Sequence, residues 1–154
     1  MVEWLDWQEN LIADYTTNVL DGNLNIDNSK DIRRTFSMVV NNANGLYVPH
    51  GARTNMGIKV RIKKGIKTSS GDLWWNRGIF VLSNPSTSNQ GAEKITNLSG
   101  VDKWSLLNGE LAGTLTETTV IARGTNIAEA IRAVAEDAGE TKFAFDIKEH
   151  YDSE

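Results

Sequence analysis

The chain reads as mainly β (α+β): an antiparallel β-barrel or sandwich with an N-terminal helix or arm and one helix in its C-terminal half, at about 125–138. Three observations lead there. Residues 57–64 (GIKVRIKK) alternate apolar and cationic side chains, the period of a half-buried strand. Turn dipeptides and Asn/Asp/Ser/Gly clusters recur between short apolar runs, as antiparallel hairpins require. Residues 125–138 alone carry a sustained helical stripe with a cap at each end.

Residues 2–12 place Trp4, Trp7 and Leu11 at helical spacing, with Glu3, Asp6 and Glu9 elsewhere on the wheel, which predicts a short amphipathic helix or arm over 1–14. Two tryptophans on so short an element need a surface to bury against. The preferred surface is the domain's own core; the sharper alternative is a neighbouring subunit, in which case removing residues 2–12 weakens assembly more than folding. Residues 15–20 and 22–27 follow as extended runs. Leu24 and Ile26 alternate with Asn23 and Asn25, and Asp21-Gly22 between the runs is a hairpin-turn signal. Residues 27–31 (DNSKD) form a second turn, and 34–40 a strand with Phe36, Met38 and Val40 on one face. Residues 41–51 are a loop in which Pro49 bars a central strand.

In residues 57–64, Ile58, Val60 and Ile62 face one way and Lys59, Arg61 and Lys63 the other. A slip of one residue would expose the whole apolar set, which fixes the register. Residues 67–72 (KTSSGD) predict a hairpin loop, and 73–82 (LWWNRGIFVL) a strand with a bulge or bend near Gly78. Residues 84–92 read as polar loop, 93–98 as a strand, 102–107 (DKWSLL) as one or two helical turns, and Thr-rich 115–121 as extended. In the helix, Thr125 or Asn126 is the N-cap. Ile127, Ile131, Val134, Ala135 and Ala138 form its apolar stripe, and Gly139 sits where a left-handed residue ends it. Residues 143–147 (FAFDI) alternate as a final strand. The total is six to eight strands and one helix.

A length of 154 residues fits one domain: a β-rich body over 15–148 with the helix appended, the arm over 1–14 and a polar tail over 149–154. A net charge of −4 argues against a dedicated nucleic-acid binder. The absence of cysteine removes disulfides, thiol nucleophiles and Cys-type zinc sites, and suits a reducing compartment. The segment MVEWLDWQEN lacks the basic start of a secretory signal, and no apolar run nears the ~20 residues of a membrane span. A soluble protein made in a cytoplasm is expected, with no membrane partner.

No catalytic motif emerges, and no enzyme is expected. His50 and His150 stand far apart in polar segments, so a metal site or His-based triad would need unrelated partners beside one of them. Gly45, Gly51 and Gly57 are spaced as turn residues rather than as a phosphate loop. The acid pairs Asp14/Asp21 and Glu136/Asp137 read as solvated, whereas a general acid needs a partly desolvated carboxylate. Neither cofactor nor metal is expected. What remains is surface. Arg53, Lys59, Arg61, Lys63, Lys64 and Lys67 fall in a stretch without an acid. It is either a contact for an acidic partner or nucleic acid or, preferably, a solvated or lysine-guarded sheet face. Trp74 and Trp75 must point to opposite faces of their strand. An outward one is a candidate interface anchor or sugar-stacking ring, unless the chain's own loops cover it.

The elements also stand in a recognisable order. Residues 20–45 (LDGNLNIDNSKDIRRTFSMVVNNANG) comprise a Gly-led strand ending in Asp, a short turn, an Arg33-Arg34-Thr35 strand and an Asn-rich loop, with Pro49 after it. A G-x-K-V-R-I strand follows at 57–62, then an aromatic-Gly strand into a Ser/Asn-Pro loop at 75–85. A D-x-W-x-L-L turn at 102–107 and a G-T-x-I-x-x-A-I helix ending in Ala-Gly at 124–139 complete the series. This order, over residues 19–139, resembles tail proteins of long-tailed bacteriophages, in particular baseplate-hub or tail-tip components. The resemblance implies a structural virion protein on a β-barrel shared with tail-tube proteins, assembled in the host cytoplasm and resident in the virion tail. It implies a ring of three or six copies, docked on other tail proteins, through which DNA passes without sequence-specific binding. Hub proteins of this type continue past the final strand, whereas this chain stops at Glu154. One barrel per chain would need six copies for the ring that three two-barrel copies make. The candidate interface residues are Trp4, Trp7, Arg33, Arg34, Lys59, Arg61, Lys63, Trp74 and Trp75, with subunit strands pairing edge to edge. The alternative expectation is a carbohydrate-binding β-sandwich module for a bacterial surface glycan. Five tryptophans support it, and those on predicted helices rather than a strand platform weaken it.

Overall fold

The computed structural model describes residues 1–48, 54, 58–83, 85–90, 93–107 and 118–142. The chain divides into two compact units, Met1–Lys103 and Trp104–Glu154. The first is an antiparallel sheet of β1 (Val2–Leu5), β2 (Leu11–Asp14), β3 (Val19–Ile26), β4 (Arg34–Asn41), β5 (Lys59–Thr68), β6 (Gly71–Leu82), β7 (Ser86–Gln90) and β8 (Glu93–Asp102). Hydrogen-bonded neighbours run β2-β1-β5-β6-β8-β4-β3, with β7 on β8. The path ends on β2 and β3, so the sheet is unclosed, a mainly antiparallel β architecture consistent with a sandwich. A 3-10 turn, Lys103–Leu106, leads out of the sheet, and the second unit contains the helix α1 (Ile127–Asp137).

Alternation builds the core. Phe36, Met38 and Val40 of β4 point inward with Val60 of β5, Phe80 and Leu82 of β6 and Leu98 of β8. Trp4 of β1 is fully buried and meets Tyr15 edge-on at 5.0 Å and Tyr47 at 5.9 Å; the two tyrosines are 5.6 Å apart. Tyr15 lies in the link from β2 to β3, and Tyr47 follows β4. Aromatic side chains therefore join one end of the sheet to the other. Chain length enforces the same curl, because only residues 15–18 separate β2 from β3, a span of at most about 18 Å. A cavity of about 230 Å³ lies between the two ends, with Val2 and Ile62 on one side and Leu24 and Phe36 on the other.

β8 is the spine. One edge pairs β4 from Thr35↔Val101 to Asn41↔Ile95. The opposite edge is shared between β6 (Phe80↔Asp102 to Leu82↔Gly100) and β7 (Ser86↔Asn97 to Gln90↔Glu93). Between these two partners the Ser83 N–H donates to the Ser99 carbonyl at 2.9 Å, which keeps the ladder continuous. The buried Asn42 side chain fastens the loop after β4: its oxygen accepts from the Tyr47 N–H (2.9 Å) and its NH₂ donates to Thr96 Oγ1 (3.0 Å).

Several elements depart from the sequence reading. The segment 1–14 is a strand pair, not a helix. Pairing of β1 with β5, Val2↔Ile62 to Leu5↔Lys59, outweighs a weak helical preference, and Asp6 breaks any helix by accepting from the Asn10 N–H at 2.8 Å. Asp21-Gly22 is not a turn. It lies inside β3 at a bulge, held by the ladder to β4, and the hairpin turns instead at 27–33, where Asp27 accepts from the Ser29 N–H and hydroxyl. The loop expected at 67–72 shrinks to Ser69-Ser70, and part of the loop expected at 84–92 is β7. Residues 118–121 are outside any strand; the remainder of the extended run at 115–121, the strand at 143–147, the tail at 149–154, and His50 and His150 lie outside the described residues. α1 is capped as expected, Asn126 accepting from the Ala128 N–H at 2.8 Å. Ala135 is buried, while Ile127 and Ile131 stay nearly half exposed.

Because Trp4 sits in the core, Trp4→Ala is expected to cost about 3–5 kcal/mol in urea denaturation, and loss of residues 2–12 to unfold the sheet rather than weaken assembly alone. Tyr47 supplies a pH test. Burial pushes its hydroxyl pKa up to about 12, Asn18 offsetting part of the effect, and the oxygen lacks a hydrogen bond of good geometry. The folded state thus favours the protonated form, and stability falls as pH rises from the ordinary value near 10 toward about 12. Tyr47→Phe is expected to raise stability at neutral pH by about 1 kcal/mol and to flatten the alkaline loss, read from urea midpoints on both sides of that window.

Candidate functional site

β5 and β6 outrun the sheet. β1 accompanies β5 only from Lys59 to Ile62, with a last bond from the Lys63 N–H to the Met1 carbonyl at 3.0 Å. β8 accompanies β6 only from Phe80 to Leu82. Beyond these, residues 64–77 form a two-stranded ribbon. A bulge starts it: Arg77 is the extra residue, and Gly78 takes φ 144°, a conformation that L side chains rarely adopt. Cross-strand partners share a face, so Lys64, Ile66, Leu73 and Trp75 lie on one side and Lys67, Asp72, Trp74 and Asn76 on the other. The Trp74 ring covers Gly65, where any Cβ would run into it. Ile66, Leu73, Trp74 and Trp75 remain 58%, 54%, 39% and 46% exposed. A lone two-stranded ribbon is marginal in water, and apolar side chains concentrated on one mark a contact surface.

Among the described residues β2 and β3 each have one unpaired edge. β3 runs eight residues without a lysine or proline to blunt it. Leu11 and Ile12 of β2 and Leu20 and Ile26 of β3 are exposed. The stretch 11–27 that spans both edges holds Asp14, Asp21 and Asp27 and no cation. Hydrogen bonds from the Thr16 hydroxyl and N–H lower the Asp14 pKa, and those from Ser29 lower that of Asp27, so both carboxylates keep their charge into acid.

The predicted interface residues divide into four groups. Trp4 is core. Lys59, Arg61 and Lys63 do share a strand face, but that face is neutralised from within the chain. Glu3 of β1 accepts from Arg61 at 3.1 Å and from Lys63 at 2.5 Å. Glu9, held at φ 65° in the β1–β2 loop, accepts from the buried Lys59 at 3.4 Å and from Lys103 at 2.6 Å. Trp7 lies 4.7 Å from the Lys59 ammonium, a cation–π contact rather than a free ring. Arg33 and Arg34 are exposed beside the β3–β4 turn, the Arg34 N–H donating to Asp102 at 3.1 Å. Trp74 and Trp75 stand on the ribbon, apart from both clusters. Sequence reasoning missed Glu3 and Glu9; reading residues 2–5 by period two, with Glu3 opposite Val2 and Trp4, would have placed an acid beside a cationic strand.

A cleft of about 350 Å³ opens on the sheet face, lined by Asp21, Asn23, Ser37, Asn97 and Ser99 among others, with Asp21 its one carboxylate among the described residues. No group of three or more His, Cys, Asp or Glu side chains among the described residues could hold a metal ion. No described helix is long and apolar enough to cross a membrane. The chemistry this arrangement offers is contact: backbone edges, apolar anchors and separated charge.

The ion-pair cluster yields a test of the assignment of Lys59 to structure. Glu9→Gln takes the carboxylate from two lysines, one of them buried, and is expected to cost on the order of 3 kcal/mol. Lys59→Met, which leaves Glu9 paired with Lys103, is expected to change stability by less than about 1 kcal/mol, both read from denaturant unfolding. Comparisons with protein-family models, with curated proteins and with solved structures return no match to this chain.

Proposed function

We propose that the chain is a structural, non-enzymatic protein of the tail of a long-tailed bacteriophage. It is a baseplate-hub or tail-tip component that assembles with itself, in three or six copies, and docks on other tail proteins. The observation that carries the reading is the open sheet, in which β2 and β3 each keep an unpaired edge among the described residues, with an apolar ribbon beyond its body. Monomeric β proteins blunt such edges; an assembling one uses them to continue a sheet from subunit to subunit. The ordered motifs over 19–139 supply the phage class. In this reading DNA passes the assembly without sequence-specific contact, which suits the net charge of −4. A glycan-binding module is the less favoured reading, because Trp74 and Trp75 lie on opposite faces and share no platform.

Electron microscopy of the purified chain, with light scattering for its mass, tests this directly. Rings of three-fold or six-fold symmetry are expected. A lasting monomer that binds a bacterial surface glycan tightly on an array would contradict the reading.

A further inference from the structure

We propose that the ribbon at 64–77 of one copy docks along the free edge of β3 (Val19–Ile26) of a second copy, a head-to-tail contact that extends the second copy's sheet. The inference rests on the self-assembly reading and deepens it by naming the two surfaces that meet.

Charge selects this pairing. Within 64–77, Lys64, Lys67 and Arg77 oppose one acid, Asp72, for a net +2 in a chain of net −4, which leaves −6 elsewhere. None of the three cations makes an ion pair among the described residues, whereas Lys59, Arg61 and Lys63 at the ribbon's base are already paired. The receiving strand holds Asp21 and no cation; of the other aspartates in the stretch 11–27, Asp14 lies on β2 and Asp27 is paired with Lys30. Ribbon against ribbon would set lysines against lysines, and edge against edge aspartates against aspartates, so both symmetric contacts are repulsive. The head-to-tail contact is attractive, and such a contact closes into a ring or runs on as a filament according to its rotation.

Backbone and apolar surface agree. The ribbon and β3 both have unpaired edges among the described residues. The ribbon offers Ile66, Leu73 and Trp75, and β3 offers Leu20 and Ile26, all exposed. The ribbon's tip, Thr68-Ser69-Ser70-Gly71-Asp72, is polar. A lipid-inserting ribbon leads with apolar side chains, so a protein surface fits better than a membrane.

The experiment follows the mass of the full chain by sedimentation velocity across a concentration series at low salt. It compares wild type, Lys64→Glu/Lys67→Glu, Asp21→Lys/Asn25→Lys and an equimolar mixture of the two variants. All four substituted side chains are exposed, and cooperative thermal melts check folding. Should a double variant fail that check, the single changes Lys67→Glu and Asn25→Lys take its place. Each variant alone is expected to need about tenfold more protein to associate. The mixture, in which acidic ribbons meet basic edges and basic ribbons meet acidic edges, is expected to recover wild-type association. Added salt weakens the wild type. Folded variants that associate like wild type, or a mixture that stays apart, overturn these docking surfaces and leave self-assembly standing. A wild-type chain that stays monomeric throughout, even one whose ribbon captures another molecule, overturns the self-assembly reading as well.

Discussion

The structure depends on how its sheet is held without being closed. Trp4 at one end of the strand order stacks edge-on against Tyr15, in the short link between the two ends, and against Tyr47, which follows β4 at the other end. Each such aromatic pair adds about 0.5–1.5 kcal/mol beyond burial, and the link at 15–18 is too short for the two edges to separate. Closure by side chains differs from closure by a hydrogen-bonded seam in one consequence. A seam between β2 and β3 would satisfy both edges and leave nothing to pair. Aromatic closure curls the sheet around its core yet leaves both edge backbones unpaired among the described residues. The open edges are a product of the way the core is built.

Electrostatics follow the same division between interior business and surface left over. The row Lys59, Arg61 and Lys63 would be a basic stripe if β5 were considered alone. β1 and its loop bring Glu3 and Glu9 across it, so the row holds the N-terminal strand in place. Two lysines and an arginine on the ribbon escape this neutralisation, and among the described residues Asp21 of β3 makes no ion pair, whereas Asp27 just beyond it is paired with Lys30. Local neutrality inside the sheet leaves complementary charge at its extremities.

Much of this was legible in the residues, and the failures share a cause. Strand β4, the inward faces of β5, the turn expected at 27–31 (two residues longer in the structure), the bulge at Gly78 and the cap, which falls on Asn126 of the two candidates, depend on local period and turn chemistry, and all stand close to where the sequence puts them. Residues 2–12 misled because Trp4, Trp7 and Leu11 satisfy a helical period while Val2 and Trp4 also satisfy a strand period; only the pairing with β5 decides. Asp21-Gly22 has strong turn chemistry, but a ladder of seven paired residues to β4 overrides it. β7 was hidden because its Ser/Thr-rich composition gains from pairing with β8 rather than from any hydrophobic face. In the site, the opposed directions of Trp74 and Trp75 followed from strand geometry alone. The neutralised cations did not, because their acids lie 50 to 60 residues away in sequence.

The central claim is that the free strand edges are the working surface of this chain. Hydrogen–deuterium exchange measured from dilute to concentrated protein tests it most directly. The account predicts that backbone amides of β3 and of the ribbon gain protection as concentration rises, while those of β4 and β8, already paired on both sides, do not change. Equal exchange at every concentration, or protection gained elsewhere with β3 and the ribbon unaffected, would contradict it.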